Sequence, residues 1–261
     1  PPGGGTDVIA RIVQAKFQAA LGQQIVIENK GGAGGSVGTE IVSKAAADGY
    51  TVLFTLSSHT INPAIFPKLN YDTLKDFEPV GMIAETPYVL VISPKLAVNS
   101  VKELIDHAKK NPGKISACTT GILSDDHLAI LMVQEATGAE FRIVHFDGGA
   151  QQLTGVLGGH VDVAFDNVGS VFKRVGTEIR GLAVTDVVRS KFLPQVPCTK
   201  ELGLTTVISS STRGVGAPKG TPADICKTVE TAFLKAINSA EMKEKMDAVG
   251  LALKPMVGAE Y

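Results

Sequence analysis

The chain has 261 residues, enough for one or two domains with a sizeable core. Its 25 basic and 26 acidic side chains leave a formal charge of −1, which argues against the basic footprint of a nucleic-acid binder and against a polybasic membrane surface. Hydrophobic residues at 44% exclude a disordered chain, and no apolar run reaches the ~18 residues of a bilayer span, so no direct membrane insertion is expected.

In chain order, Thr6 is placed to cap a helix in which Ile9, Ile12, Val13, Phe17 and Leu21 recur at helical spacing until Gly22. Ile25-Val26-Ile27 reads as a short buried strand. A glycine loop over 31–38 leads to a helix over 39–46, Asp48-Gly49 marks a turn, and 51–56 reads as a strand. Residues 88–93 form the next strand. Ser100 and Glu103 make a capping box that opens a helix to Lys110. Strands follow at 114–118, 142–146, 161–165 and 179–185. Helices are expected at 125–136 behind a Ser124 cap, at 150–157, at 223–237 behind Thr221-Pro222, and at 240–249 before Gly250. The alternation of strand and helix is that of an α/β protein with a parallel or mixed sheet.

Several loops could carry chemistry. Pro1 to Asp7 is a glycine loop feeding a helix N-terminus, where unpaired amides and the helix dipole suit a phosphate or carboxylate. It fits neither the Walker loop nor G-x-G-x-x-G, and a tight turn without ligand is an equal reading. Ser57-Ser58-His59-Thr60 follows a strand at the end where open α/β sheets bind ligands. No serine nucleophile with its elbow motif accompanies His59, which reads as loop structure or a ligand hydrogen bond. Thr119-Thr120-Gly121 and Ser124-Asp125-Asp126-His127 open another helix. Carboxylates there are stabilised by the dipole, and adjacent helical residues do not converge on one metal ion. Asp147-Gly148-Gly149-Ala150 is a further strand-to-helix loop, and Asp166-Asn167 ends a strand. His107, His145 and His160 read as structural or surface residues. Arg213 has two readings, a structural salt bridge or a ligand carboxylate. Cys118, Cys198 and Cys226 read as small buried thiols, with a Cys118–Cys198 disulfide left open.

Residues 1–11 (PPGGGTDVIAR), 25–38 (IVIENKGGAGGSVG), 46–53 (AADGYTVL), 62–67 (NPAIFP) and 71–79 (YDTLKDFEP) resemble the receptors of tripartite tricarboxylate transporters, the Bug family. The resemblance continues through 100–113 (SVKELIDHAKKNPG), 157–167 (LGGHVDVAFDN), 182–185 (LAVT) and 216–222 (GAPKGTP). It implies a type II periplasmic-binding fold: two α/β domains joined by two crossing strands, with a ligand cleft between them. The expected domains are 1–92 with 213–261, and 93–212. It further implies a periplasmic location, a leader and first strand before Pro1, a helix beyond Tyr261, and no enzymatic activity or cofactor. The expected partners are a small organic carboxylate and membrane transporter subunits, with the protein a monomer that closes around its ligand. By motif, the ligand residues are Gly3 and Gly4; Ser57, Ser58 and Thr60; Thr119, Thr120, Ser124 and Asp125; Gly149 and Ala150; and Asp166. Asp125 and Asp126 depart from the family's Ser/Thr-rich loop, as Ser211-Thr212-Arg213 departs from its aromatic segment. Two rival readings stay open: an intracellular ligand-sensing domain of the same fold, and a phosphate-handling transferase using the Gly3 to Thr6 loop.

Overall fold

The computed structural model describes residues 5–146 and 148–258. In it α1 (Gly5–Leu21) turns Ile9, Val13 and Phe17 inward at intervals of four, as a 3.6-residue period requires. Thr6 lies within the first turn instead of capping it. Residues 25–27 are not a strand. Val26 is 80% exposed, and the Ile25 backbone is taken up by α1 itself: Gln14 donates to its carbonyl and Gln18 accepts from its amide. A short 3-10 turn (Ala33–Gly35) then leads into α2 (Ser36–Ser43), which starts three residues earlier than the glycine spacing indicated.

The remaining elements are β1 (Leu53–Leu56), α3 (Ser58–Ile65), β2 (Phe77–Ile92), α4 (Val101–Lys110), β3 (Ser116–Thr119), α5 (Asp125–Thr137), β4 (Arg142–His145) and α6 (Gly149–Leu157). They continue with β5 (Val163–Asn167), α7 (Val168–Val171), β6 (Arg180–Val184), β7 (Ser210–Pro218), α8 (Ala223–Ile237), α9 (Ala240–Ala248) and β8 (Leu253–Val257). The capping box forms as read: Ser100 Oγ accepts from the Glu103 amide at 3.1 Å, and the Glu103 carboxylate accepts from the Asn99 amide at 2.7 Å. At α8 the cap position falls on Pro222, because the Thr221 hydroxyl turns back to donate to the Pro218 carbonyl.

The chain divides into two units, Pro1–Glu85 with Thr212–Tyr261, and Thr86–Ser211, and it passes from one to the other within β2 and again within β7. In the first unit β1 runs antiparallel to β7, and β8 antiparallel to the first half of β2. Its core brings Ile9, Val13 and Phe17 of α1 against Val80 and Ile83 of β2, Val229, Phe233 and Ile237 of α8, and Met242 and Met246 of α9. In the second unit β3 is parallel to both β4 and β5, while the second half of β2 pairs antiparallel with β5 and β6. Leu90, Ile92, Leu104, Ile130 and Phe165 pack on one face of this sheet, and Val89, Val91, Val156, Ala164 and Val184 on the other. Burial on both faces is why these strands read as continuous apolar runs.

All three cysteines are free thiols, with Cys118 and Cys198 buried. Burial pushes the Cys118 thiol up to about 12, so it stays protonated and unreactive at neutral pH.

Gly81 of β2 is closely packed against backbone and ring atoms of the first unit. A Cβ there would sit 2.7 Å from the Met256 carbonyl of β8 and 2.9 Å from the Phe233 ring. Gly81→Ala is therefore expected to destabilise this unit by about 1–3 kcal/mol, read as a lower urea midpoint. An unchanged midpoint would show that β8 yields freely.

Candidate functional site

In the first unit Gly3 and Gly4 lie outside the described residues. Arg11, the nearest cation to that loop in sequence, is committed to Asp7, with Nε donating to its carboxylate at 3.0 Å. Ser57, Ser58 and Thr60 share the first turn of α3, at the C-terminal end of β1. Each makes a bond within this unit. Ser57 Oγ accepts from the Thr212 amide (2.8 Å), Ser58 donates to the Gly34 carbonyl (2.6 Å), and Thr60 donates to the Ser57 carbonyl (2.8 Å). The turn is thereby locked to both β7 and the glycine loop. Pro63 lies inside α3 and donates no amide proton to the carbonyl four residues back; that carbonyl, of His59, accepts instead from Thr73. The His59 ring packs edge-on to Phe77 at 5.0 Å and stacks with Tyr71, and burial lowers its pKa. Arg213 lies on β7 and donates to the Thr212 carbonyl at 2.8 Å.

In the second unit the remaining expected residues gather at one edge. Because β3, β4 and β5 are parallel, their C-terminal ends lie together, and the loops that follow open α5, α6 and α7 there. Thr119, Thr120, Ser124 and Asp125 come from the β3–α5 loop, Gly149 and Ala150 from the start of α6, and Asp166 from the end of β5. Gly149 and Ala150 are exposed, and a Cβ at Gly149 would meet nothing within 4 Å. Gly149 and Ala150 are thus exposed at the positive end of the α6 dipole.

The β3–α5 loop is held from below by one carboxylate. Asp126 is 1% exposed and accepts three bonds: from the Thr120 amide (2.7 Å), the Thr120 hydroxyl (2.9 Å) and Gln152 Nε2 (2.9 Å). Gln152, equally buried on α6, also donates to the carbonyls of Cys118 and Phe165, so one side chain ties β3, β5 and α5 to α6. Asp125 turns the other way and accepts from the Tyr88 hydroxyl at 3.2 Å while remaining half-buried. Thr119 is fully buried. Its hydroxyl donates to the Gly121 carbonyl and lies 2.6 Å from His145 Nδ1, so Thr119 shapes the loop from inside. Ser124 stands at the cap position of α5 but donates to the Gly121 carbonyl in place of capping. Two residues read as isolated or weak in sequence belong here. His145 packs its ring 5.1 Å from that of His127, and His127 Nδ1 accepts from the Leu123 amide at 2.8 Å. Neither had a motif to reveal it, since the pairing joins α5 to β4. Among the described residues no cluster of His, Cys, Asp and Glu could hold a metal ion.

Asp166 is 6% exposed on β5. Burial pushes its carboxyl up to about 7, the Asn167 amide and the Ser170 hydroxyl pull it back, and the Asp126 charge adds to the rise.

A profile described as "Tripartite tricarboxylate transporter family receptor" matches residues 9–257. The chain belongs to that family. The receptor is 35% identical to the protein BugT of Bordetella pertussis over 96% of its own length and 78% of that protein's. A Rhodopseudomonas palustris structure described with adipate superposes with a TM-score of 0.88 at 31% identity, covering all of the receptor and 87% of that chain. MatC of the same organism, described with bound malate, gives 0.85 at 27%, covering 97% of the receptor and 87% of that chain. The fold is that of the periplasmic binding proteins, among them BugD, which superposes at 0.85. No helix among the described residues is long and apolar enough to cross a membrane.

Two outcomes follow from the buried carboxylates. The folded pKa of Asp166 lies above its ordinary value of 3.8, so the stability contributed by its protonated form is complete below about 3.8 and lost as pH rises through about 7. Asp166→Asn should therefore raise stability at alkaline pH, on the order of 2–4 kcal/mol, with the gain vanishing toward acid pH. Melting temperatures across the range check this, and a pH-independent difference would contradict it. Asp126→Asn keeps one acceptor where three donors converge, and should cost roughly 2–3 kcal/mol.

Proposed function

We propose that the receptor reversibly captures a small organic carboxylate in the periplasm and presents it to membrane transporter subunits, without catalysing a reaction. The observation that carries this reading is its likeness, over nearly its whole length, to family structures described with adipate and with malate. The loop chemistry supports it. The exposed start of α6 suits one ligand carboxylate, because an anion there meets the positive end of the helix dipole.

Asp125 narrows the choice of ligand. Two like charges ~4 Å apart cost about 4 kcal/mol at an effective dielectric of 20, more than the ~1 kcal/mol of an ordinary hydrogen bond. A ligand group next to Asp125 is therefore a hydroxyl, an amine or a protonated acid. Asp126, spent on Thr120 and Gln152, takes no part in this selection.

A panel of mono-, di- and tricarboxylates with their hydroxy and amino analogues tests the reading by thermal shift. A true ligand raises the melting temperature with concentration, following RT ln(1 + [L]/Kd), and is recovered unchanged. Asp125→Asn should alter the ranking between a dicarboxylate and its hydroxy analogue. A panel in which no carboxylate stabilises the protein, or one in which the ligand is consumed, overturns the proposal.

A further inference from the structure

We propose that His127 is the positioning residue of the β3–α5 loop, a latch that holds this loop in its ligand-binding geometry only while the imidazole is neutral. The inference rests on the carboxylate-receptor reading of that loop and adds to it a dependence on external acidity.

The geometry starts at Leu123. Among the described residues it is the one non-glycine residue with positive φ, at 58°. A left-handed backbone is unfavourable for a residue with a Cβ, so something must hold it there. Its amide donates to His127 Nδ1 at 2.8 Å, across less than one turn of chain. A nitrogen that accepts this bond carries no proton, so the ring is neutral with its hydrogen on Nε2. The other bonds within the loop fall on Thr119, Thr120, Gly121 and Ser124. The Gly121–Ser124 bridge spans Ile122 and Leu123, and His127 is the group that fixes the Leu123 amide beneath it.

The ring is 9% exposed, and the groups around it are named by the elements that pack there. His145 of β4 meets it edge-on at 5.1 Å, with its own Nδ1 turned to Thr119. On α5 itself Asp125 faces Tyr88, and Asp126 faces Thr120 and Gln152. Cys118 of β3 is a neutral thiol, and the Asp166 carboxyl of β5 is raised by burial and by the Asp126 charge. Burial first, and His145 second, keep the His127 pKa below its ordinary 6.5, with Asp126 opposing. The neutral, accepting form is thus the resting state near pH 7. Protonation turns Nδ1 into a donor that faces the Leu123 donor. The bond becomes a repulsion, the left-handed residue relaxes, and the loop that carries Thr120 and Asp125 is released.

The experiment measures adipate and malate binding by calorimetry between about pH 8 and about pH 5, in wild type, His127→Asn and His127→Phe. Asparagine places an oxygen acceptor close to the position of Nδ1 and does not titrate; phenylalanine fills the space and accepts nothing. At about pH 8 the asparagine variant should bind within about threefold of wild type, and the phenylalanine variant at least about tenfold more weakly. Toward about pH 5 the wild-type affinity should fall about tenfold relative to the asparagine variant. Protonation of the ligand affects both proteins alike and cancels in that ratio. Equal pH profiles overturn the latch.

A second arm uses wild type without ligand. Nitrogen NMR should show His127 Nδ1 unprotonated at about pH 8, and the Leu123 amide protection factor should drop about tenfold or more on acidification relative to core amides. A protonated Nδ1 at about pH 8, or an unchanged protection factor, overturns the latch even if a variant fails to fold. If this arm succeeds while no carboxylate binds, the receptor reading fails and the latch itself stands.

Discussion

A buried carboxylate with three donors around it organises the second unit. Asp126 sits where the amide of Thr120, its hydroxyl and the Gln152 side chain converge. Leaving such a charge without partners costs several kcal/mol, and so does leaving the donors without it. The cheapest arrangement is therefore one in which α5, α6, β3 and β5 keep a single mutual placement. Gln152 enforces this, because its other contacts are main-chain carbonyls of β3 and β5, which side-chain replacement on those strands leaves in place. The open edge of the parallel strands inherits its precision from that buried network.

The loops of the two units differ in how each is held. The Ser57–Thr60 turn is tied by hydroxyl-to-backbone bonds that do not change with pH in the ordinary range. The β3–α5 loop instead rests on the Asp126 carboxyl group and the His127 ring. Its neighbour Asp166 titrates near neutrality because its burial outweighs its two hydrogen bonds. Asp166 lies at the C-terminal edge of the parallel strands, beside the loops that open α5 and α6.

Adjacent residues of α5 show how the same side-chain type acquires separate roles. Asp125 and Asp126 are each stabilised by the first turn of a helix, and on that ground alone they are equivalent. A helix rotates by roughly 100° per residue, so one reaches Thr120 and Gln152 and the other reaches Tyr88 of β2. The inward residue is spent on Thr120 and Gln152, whereas the half-buried one meets the Tyr88 hydroxyl.

The helices α1, α4, α5, α6, α8 and α9, the Ser100 cap, the Asp48-Gly49 turn and the family motifs were legible from the chain, because each depends on residues close in sequence or on a shared pattern. The same local logic misread residues 25–27: an apolar triplet becomes a strand only if a partner strand takes its amides, and here Gln14 and Gln18 take the backbone groups of Ile25. It also missed α3, α7, β7, β8 and the first half of β2; the β2–β8 pairing spans 169 to 176 residues, and Pro79 and Pro87 interrupt the β2 run. At the site, the sequence pointed to the loops through their glycines and hydroxyls. Which hydroxyls serve the loop from inside, which aspartate is buried, and that His127 meets both Leu123 and His145 were decided by tertiary structure alone. Side-chain direction and burial are properties of packing between distant elements, and no spacing along the chain encodes them.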